Sequence, residues 1–372
     1  MPDDTWAAVR QNARMPRRVF LHIGTPKSGT TYLQEKLALN RDLVGKQGLT
    51  YPNTRTGNHF EGALDLIEER WAGQRELVRG QWTALVGEAR KAPGDVLISH
   101  EILAAATPAQ IASVRATFGD DEIHLVLTAR DLARQLPAEW QENVKHRGTR
   151  SFANFLSRVT NARRTNPDLW FWRVQAIPDV LTRWGNGLAP EHIHVVTVPQ
   201  PDAPPDLLWR RFAGVVGLDP DAGYAEATDF NRSLGIAETA VIRRLNKLLA
   251  GKGIPREVYV DLVREVIARE TLGARPEQTR ATLPERRWPF VEEVTAEWHD
   301  WLLGAGVDVV GDLAELLPRR PDFSDGTWIH PDRPPAELVA DAAVEALAAV
   351  IIDVAPTHES PVRRLARRLL RG

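Results

Sequence analysis

The stretch RVFLHIGTPKSGTTYLQEKLAL, residues 18–39, decides the fold. It begins with a short apolar run, rich in β-branched and aromatic residues, that ends at Gly24 and is typical of a buried strand. A loop of small polar residues follows at once, and from Thr30 onward apolar residues recur at helical spacing. We therefore predict a strand, a loop and a helix in the order of a phosphate-binding βα unit.

Similar apolar runs recur at residues 95–99 (DVLIS), 122–128 (EIHLVLT) and 192–198 (HIHVVTV), separated by stretches of helical period. This alternation predicts an α/β fold, with a P-loop-like parallel sheet flanked by helices. After about residue 187 helical patterns dominate, which predicts a helical C-terminal extension.

In open parallel sheets, ligands bind beyond the carboxyl ends of the strands. Residues that directly follow the apolar runs are therefore the candidate site residues. They are residues 25–31, His100, Glu101 and Arg130.

Composition excludes several classes of site. The 372 residues carry a formal net charge of −2, so nothing biases the whole molecule toward nucleic acid. With no cysteine, disulfides, thiolate metal sites and cysteine nucleophiles are excluded. The segment before Arg17 has no apolar core of a signal peptide, and no apolar run is long enough to span a bilayer. We expect a cytoplasmic protein.

Proline-rich joints suggest the domain organisation. We predict an N-terminal segment (1–16), an α/β domain that includes the helical C-terminal half (17–318) and a C-terminal appendage (319–372). The appendage should hold one apolar helix near residues 336–353 and a basic tail. The tail, residues 361–372, interleaves five arginines with apolar residues, which predicts weak contact with a membrane surface or docking on the protein's own acidic surface.

The loop at residues 25–31, TPKSGTT, has the chemistry of an anion cradle. Its amides lie at the positive end of a helix dipole, Lys27 adds a charge, and Ser28, Thr30 and Thr31 add hydroxyl donors. An ATP-type P-loop has its lysine directly after the last glycine. Here Lys27 precedes Ser28 and Gly29 instead.

This loop resembles the phosphosulfate-binding loop of the sulfotransferase superfamily, whose pattern is [TR]-x-K-S-G-T-[ST]. The resemblance implies a cofactor, 3′-phosphoadenosine 5′-phosphosulfate (PAPS), whose sulfuryl group passes to an acceptor hydroxyl. It implies that Lys27 contacts the oxygen between phosphate and sulfate. It also implies that Thr25, Ser28, Gly29, Thr30 and Thr31 hold the 5′-phosphate. The resemblance covers residues 17–150 most firmly.

A second motif of that superfamily places an arginine at a strand end and a serine eight residues later, and both bind the 3′-phosphate. Arg130 follows the run at 122–128 and matches the arginine. The eighth residue after it is Ala138, which has no hydroxyl. Donors that can replace the serine, if the helix begins at Asp131, are Arg134, Gln141 and Lys145.

Sulfuryl transfer also needs a base that removes the acceptor proton. His100 directly follows the DVLIS run, and Ser99-His100 resembles the context of the catalytic histidine in cytosolic sulfotransferases. Glu101 competes, because several carbohydrate sulfotransferases use glutamate. His59 is a third candidate.

The acceptor is expected to be a carbohydrate, a lipid or a small-molecule natural product. Trp140, Trp170, Trp172 and Trp184 follow the Arg130 motif and either line an acceptor pocket or pack in the core. The alternative function is a P-loop ATP-dependent phosphotransferase, which normally has a strand-end aspartate for Mg²⁺. Asp131 directly follows Arg130 in the sequence, and we expect the protein to bind no metal.

Overall fold

The computed structural model describes residues 17–68, 77–226 and 233–355. The predicted N-terminal segment and basic tail lie outside the described residues. The chain divides into two compact units. The first is drawn from Met1–Ala129, Arg173–Ala227 and Asp300–Glu315, and the second from Arg130–Trp172, Thr228–His299 and Leu316–Gly372. The domain boundaries after residues 16 and 318 stay a prediction.

The first unit holds a sheet of six parallel strands, in the order β2-β3-β1-β4-β5-β6, among the residues described. This confirms the predicted α/β class with its parallel sheet. The strands are β1 (Arg18–His22), β2 (Leu49–Thr50), β3 (Asp95–Ser99), β4 (Glu122–Ala129), β5 (Ile193–Thr197) and β6 (Asp308–Val310).

Strand β1 lies in the middle of the sheet. Val19 is in register with Val96 of β3 on one side and with Ile123 of β4 on the other. The chain passes from β1 to β2 and β3 on one side, then crosses to β4 and β5 on the other. The order therefore reverses beside β1, and in parallel sheets ligands bind at such a switch point, beyond the carboxyl ends of the strands.

One face of the sheet packs against two helices, α1 (Thr30–Leu39) and α10 (Leu207–Val215). Phe20 on β1 and Val126 on β4 lie in one buried cluster with Leu33 of α1 and with Trp209 and Phe212 of α10. Burial of such side chains is the main force that holds α1, and with it the end of the loop between β1 and α1, against the sheet.

The other helices of the first unit are α2 (Arg41–Lys46), α3 (Phe60–Ile67), α4 (Gln81–Lys91), α5 (Pro108–Phe118) and α9 (Ile177–Gly185). Two helices contain residues of both units, α8 (Trp170–Gln175) and α13 (Trp288–Ala305). Short 3₁₀ turns lie at Glu101–Ala105, Pro190–His192 and Leu313–Leu316.

The second unit is helical, as predicted for the C-terminal half. Its helices are α6 (Leu132–Lys145), α7 (Phe152–Thr165), α11 (Ile236–Leu249), α12 (Arg256–Val258), which continues as a π-helical stretch (Tyr259–Thr271), and α14 (Ala336–Val354). Helix α11 contacts both α6 and α14. Within the described ranges, no helix is both long enough and apolar enough to cross a membrane.

Candidate active site

The loop between β1 and α1 depends on glycine at two positions. Gly24 has φ +37°, and a Cβ there would lie 2.4 Å from the Thr30 Cγ2. Gly29 has φ +84°, and a Cβ there would lie 2.4 Å from a methyl carbon of Leu208. Lys27, at the tip, also adopts a left-handed backbone, with φ 67°. A residue with a Cβ disfavours this region by about 1 kcal/mol, so the surrounding contacts must hold the loop in shape.

Those contacts form a directional chain of hydrogen bonds beneath the loop. The Ser28 hydroxyl donates to the Thr25 carbonyl, 2.5 Å away, and lies 2.6 Å from the Thr128 Oγ1. The His22 Nε2 lies 3.2 Å from the Thr128 Oγ1, and the His22 Nδ1 lies 2.7 Å from the Ser99 Oγ. A carbonyl oxygen only accepts, so Ser28 donates its proton to Thr25. The Ser28 oxygen then accepts from the Thr128 hydroxyl, and each earlier group in the chain donates to the next in the same direction. The Ser99 hydroxyl therefore donates to His22, and His22 to Thr128.

In this direction of the chain, the imidazole of His22 is neutral, with its proton on Nε2. Burial lowers the pKa of His22 to about 3, against the opposing effect of the nearby Glu101 carboxylate. The single proton of the Ser28 hydroxyl is donated to the Thr25 carbonyl. A ligand at the loop would therefore meet the Ser28 oxygen only as an acceptor, in contrast to the donor role that the sequence suggested.

The start of α1 offers further hydrogen-bond donors beside the loop. Among the described residues, no side chain caps the helix at Gly29. The first amides of a helix have no acceptor within it, so those of Thr30 and Thr31 are available to a ligand. Thr30 is buried and Thr31 is half-buried.

His100 caps the 3₁₀ turn that follows β3. Its Nδ1 accepts a hydrogen bond from the Ile102 amide, 3.3 Å away, and its ring lies against Phe60 with centroids 5.3 Å apart. With the lone pair of Nδ1 directed at an amide, the proton of the neutral ring resides on Nε2. Burial lowers the pKa of His100, although the Glu101 carboxylate raises it. In this arrangement Nε2 is a donor, and a base needs a lone pair there.

Glu101 is the first residue of the same turn and keeps its carboxylate ionised. Its Oε2 accepts from the Gln34 Nε2 of α1 at 3.0 Å and lies 3.7 Å from the His100 Nδ1. Burial raises the pKa of Glu101, but His100, the backbone, Gln34 and Lys27 outweigh it and hold that pKa below its usual value. The structure thus brings Lys27, His100 and Glu101 together in the first unit.

His59 lies beside the end of β3, but its ring is engaged with the backbone. Its Nδ1 accepts from the Ser99 amide at 3.0 Å, and its Nε2 donates to the Pro52 carbonyl at 2.9 Å. Burial lowers the pKa of His59 to about 3. Both ring nitrogens are therefore committed to the backbone, and the geometry favours a structural role for this residue.

Arg130 belongs to the second unit and lies among other cations there. Burial, together with Arg134 and Arg280, lowers the pKa of Arg130 to about 10, although Asp131 raises it. Asp131 is buried and caps α6 by accepting from the Arg134 amide at 2.9 Å, and it also pairs with the Arg134 guanidinium. The positive charges of Arg130, Arg134 and Arg280 repel one another, and a bound anion would relieve that repulsion.

The three residues considered as replacements for the family serine have different hydrogen-bond and charge partners. Gln141 donates to the Leu234 carbonyl at 2.6 Å and lies 3.3 Å from the Thr239 hydroxyl, so its amide is engaged inside the unit. The Lys145 ammonium lies 3.8 Å from the Glu142 carboxylate. Arg134 is the candidate that the structure places beside Arg130.

Three of the four tryptophans considered for an acceptor pocket are buried. The indole N–H groups of Trp140, Trp172 and Trp184 donate to the carbonyls of Arg150, Val159 and Leu103, at 3.0, 2.8 and 3.0 Å. These contacts favour core packing over ligand stacking for those three side chains.

The chain matches no protein-family model and no curated protein. Among solved structures it is similar to a sulfotransferase from Alicyclobacillus acidocaldarius, with 15% identity, a TM-score of 0.40 and coverage of 64% of this chain and 97% of that chain. It is also similar to the sulfotransferase domain from the curacin biosynthetic pathway, with 12% identity, a TM-score of 0.30 and coverage of 55% and 74%.

Proposed function

We propose that this chain is a sulfotransferase that binds PAPS and transfers its sulfuryl group to the hydroxyl of a carbohydrate, a lipid or a small-molecule natural product. One observation carries the proposal. Within a single compact unit, an uncapped helix start, the Lys27 ammonium and the ionised Glu101 carboxylate share the carboxyl end of one sheet. The cytoplasm, a reducing compartment that suits a chain without cysteine, is the proposed location.

The donor groups fit such a nucleotide. The loop at residues 25–31 would take the phosphosulfate through the amides at the start of α1 and through Lys27. The family pattern assigns the 3′-phosphate to Arg130, which carries Arg134 and Arg280 beside it in the second unit. A planar guanidinium makes two charge-assisted hydrogen bonds to a phosphate, which suits this role.

When bound, PAPS supplies a sulfuryl group that passes to the acceptor oxygen as the bond from sulfur to the 5′-phosphate oxygen breaks. Lys27 would neutralise the charge that develops on that phosphate oxygen. The amides of Thr30 and Thr31 would hold the phosphate without rearranging. Glu101 would accept the acceptor's hydroxyl proton, because it is ionised and its partner Gln34 fixes its direction. His100 would donate a hydrogen bond from Nε2.

The alternative, an ATP-dependent phosphotransferase, needs a carboxylate for Mg²⁺ at a strand end. Asp131 is the residue nearest to that position in sequence. It is buried and already accepts from the amide and guanidinium of Arg134. This arrangement favours the sulfotransferase.

Nucleotide binding tests the proposal directly. We expect 3′-phosphoadenosine 5′-phosphate, without Mg²⁺, to raise the melting temperature of the protein. A ligand at 100 times its Kd stabilises the folded state by about 2.7 kcal/mol. ATP with Mg²⁺ at the same concentration should raise the melting temperature less, since it lacks a 3′-phosphate. A larger shift with ATP and Mg²⁺, measured by differential scanning fluorimetry, would favour the phosphotransferase instead.

The Arg130→Ala variant tests the 3′-phosphate site. A hydrogen bond to a charged group contributes about 1.5–3 kcal/mol. We therefore expect calorimetry to show about 10- to 100-fold weaker binding of 3′-phosphoadenosine 5′-phosphate and unchanged binding of adenosine 5′-phosphate. Arg158→Ala, which removes an exposed guanidinium from α7 of the same unit, is the matched control and should change neither.

The Ala138→Ser variant, which restores the family serine, should do little, because Arg134 and Arg280 already add positive charge near Arg130. A tenfold gain in that variant would show that no group has replaced the serine. If Arg130→Ala weakened the binding of both nucleotides equally, Arg130 would not bind the 3′-phosphate.

A further inference from the structure

Five titratable side chains gather at the amino end of the sheet, away from the loop. Residues two apart on a strand share a face, so Glu122 and His124 lie together on β4. The register pairs Leu125 with Ile193 and His194 with Asp308, which brings His192, His194 and Asp308 to the same place. The centroids of the His124 ring and the His192 ring are 4.5 Å apart.

Four of these side chains form a row joined by three short contacts. Glu122 Oε1 lies 2.6 Å from His124 Nε2, His124 Nδ1 lies 2.9 Å from His194 Nε2, and His194 Nδ1 lies 2.6 Å from Asp308 Oδ2. Each contact needs a positive hydrogen between its two atoms, because lone pairs and carboxylate oxygens repel one another. Two neutral imidazoles carry only two N–H groups. One of the three contacts therefore lacks a hydrogen, and a proton or another cation is needed there.

The exposed Glu122 end of the row is where an ion from solvent can enter. With an ion at that end, the His194 Nδ1 proton goes to Asp308 and the His124 Nδ1 proton goes to the His194 Nε2. The lone pair of the His124 Nε2 then faces the Glu122 carboxylate. Such a relay, in which an outer carboxylate sets the tautomer of an inner histidine, is what metal-binding histidines usually have.

His192 completes a set of three ligands. Its Nε2 lies 3.8 Å from Glu122 Oε1, and one ligand atom each from Glu122, His124 and His192 lie within 4.8 Å of one another. Tetrahedral zinc with bonds of about 2.0–2.2 Å holds its ligand atoms about 3.4 Å apart. The His192 distance of 3.8 Å is close to this spacing, whereas Glu122 Oε1 and His124 Nε2, 2.6 Å apart, would have to move apart to bind the same ion.

We propose that Glu122, His124 and His192 bind a zinc ion, with water at the fourth position. Two imidazoles and one carboxylate suit a borderline cation such as Zn²⁺ better than Mg²⁺ or Ca²⁺. The side chains of Glu122 and His192 are 33% and 29% exposed, so an ion has access from solvent. The nearby cation Arg18 does not fill the site, because its guanidinium pairs with Asp95 at 2.6 and 2.8 Å.

The ion would join β4 to the segment that enters β5, and it takes no part in the proposed transfer. Strand β4 runs from Glu122 to Ala129, so the site lies roughly 23 Å from the strand's carboxyl end. From the sequence we expected no metal, and the proposed zinc site departs from that expectation.

Metal binding to the purified, chelator-stripped chain tests the proposal. We expect one Zn²⁺ per chain by mass spectrometry after dialysis, and visible absorption bands of tetrahedral Co²⁺ when cobalt replaces zinc. His192→Ala should weaken Zn²⁺ binding more than tenfold in calorimetry, and His192→Cys should restore much of it. Asp308→Asn should weaken binding about 10- to 100-fold through the relay.

The control is His146→Ala. The His146 Nε2 lies 3.0 Å from Glu142 Oε1 on α6, so it is a histidine–glutamate pair outside the metal cluster, and its loss should leave zinc binding unchanged. A chain that takes up no stoichiometric zinc, with a proton alone completing the row, would overturn the proposal. So would a His192→Ala variant that binds zinc as tightly as the parent.

Discussion

Lys27→Ala should lower kcat by about 100- to 1000-fold, the usual cost of removing one preorganised group that stabilises developing charge. The ammonium is expected to matter most in the transition state, when negative charge appears on the departing phosphate oxygen. kcat and kcat/KM should therefore fall by similar factors. The measurement is steady-state transfer from ³⁵S-labelled PAPS to an acceptor found by screening.

Two further variants separate charge from backbone shape. Lys27 has φ 67°, which glycine adopts at no steric cost, so Lys27→Gly should remove the charge while the loop keeps its conformation. It should be as inactive as Lys27→Ala. Lys46→Ala removes an exposed lysine at the end of α2 and should be fully active. Full activity in Lys27→Gly would remove Lys27 from the proposed reaction.

Glu101→Gln should lower kcat by about 100- to 10,000-fold, since a positioned base contributes that much to proton transfer. The amide keeps the shape of the side chain but cannot take a proton. Because the pKa of Glu101 is held below its usual value, the parent enzyme should keep its activity at pH values where an ordinary glutamate would already be protonated. The pH dependence of kcat measures this directly.

His100→Gln, compared with Glu101→Gln, tests which of the two residues is the base. It can still cap the turn but has no ionisable ring, so we expect a smaller loss of kcat than in Glu101→Gln and little change in nucleotide affinity. The reverse order, with Glu101→Gln nearly normal and His100→Gln inactive, would make His100 the base.

The sequence predicted the strands that are long and buried, and it missed those that are short. Strands β1, β3, β4 and β5 each carry a run of apolar residues, and their observed bounds lie close to the predicted runs. Strands β2 and β6 have two and three residues, so neither shows a periodic pattern. They become strands because a neighbouring strand offers them hydrogen-bonding partners.

Within the site, the sequence indicated Lys27, His100 and Glu101 because each directly follows a strand. It did not indicate Gln34, which contacts Glu101 from 67 positions away, or Arg280 beside Arg130. The tautomer of His100 could not be predicted either, because it depends on the hydrogen bond that the Ile102 amide donates to Nδ1. Contacts between distant segments arise from the packing of α1 on the sheet, and no local pattern encodes them.

The hydrogen-bonded chain under the loop, from Ser99 through His22 and Thr128 to Ser28, has a kinetic consequence. These hydrogen bonds lie inside the folded protein, and the buried imidazole of His22, whose pKa is lowered to about 3, stays uncharged near neutral pH. We therefore expect the loop to hold one shape before a ligand arrives. Nucleotide capture at this loop then needs no prior selection of a rare conformer, so no fraction of encounters is lost to closed states. We therefore expect the association rate to be governed by diffusion and by the attraction of Lys27 for the ligand, and to fall as ionic strength rises.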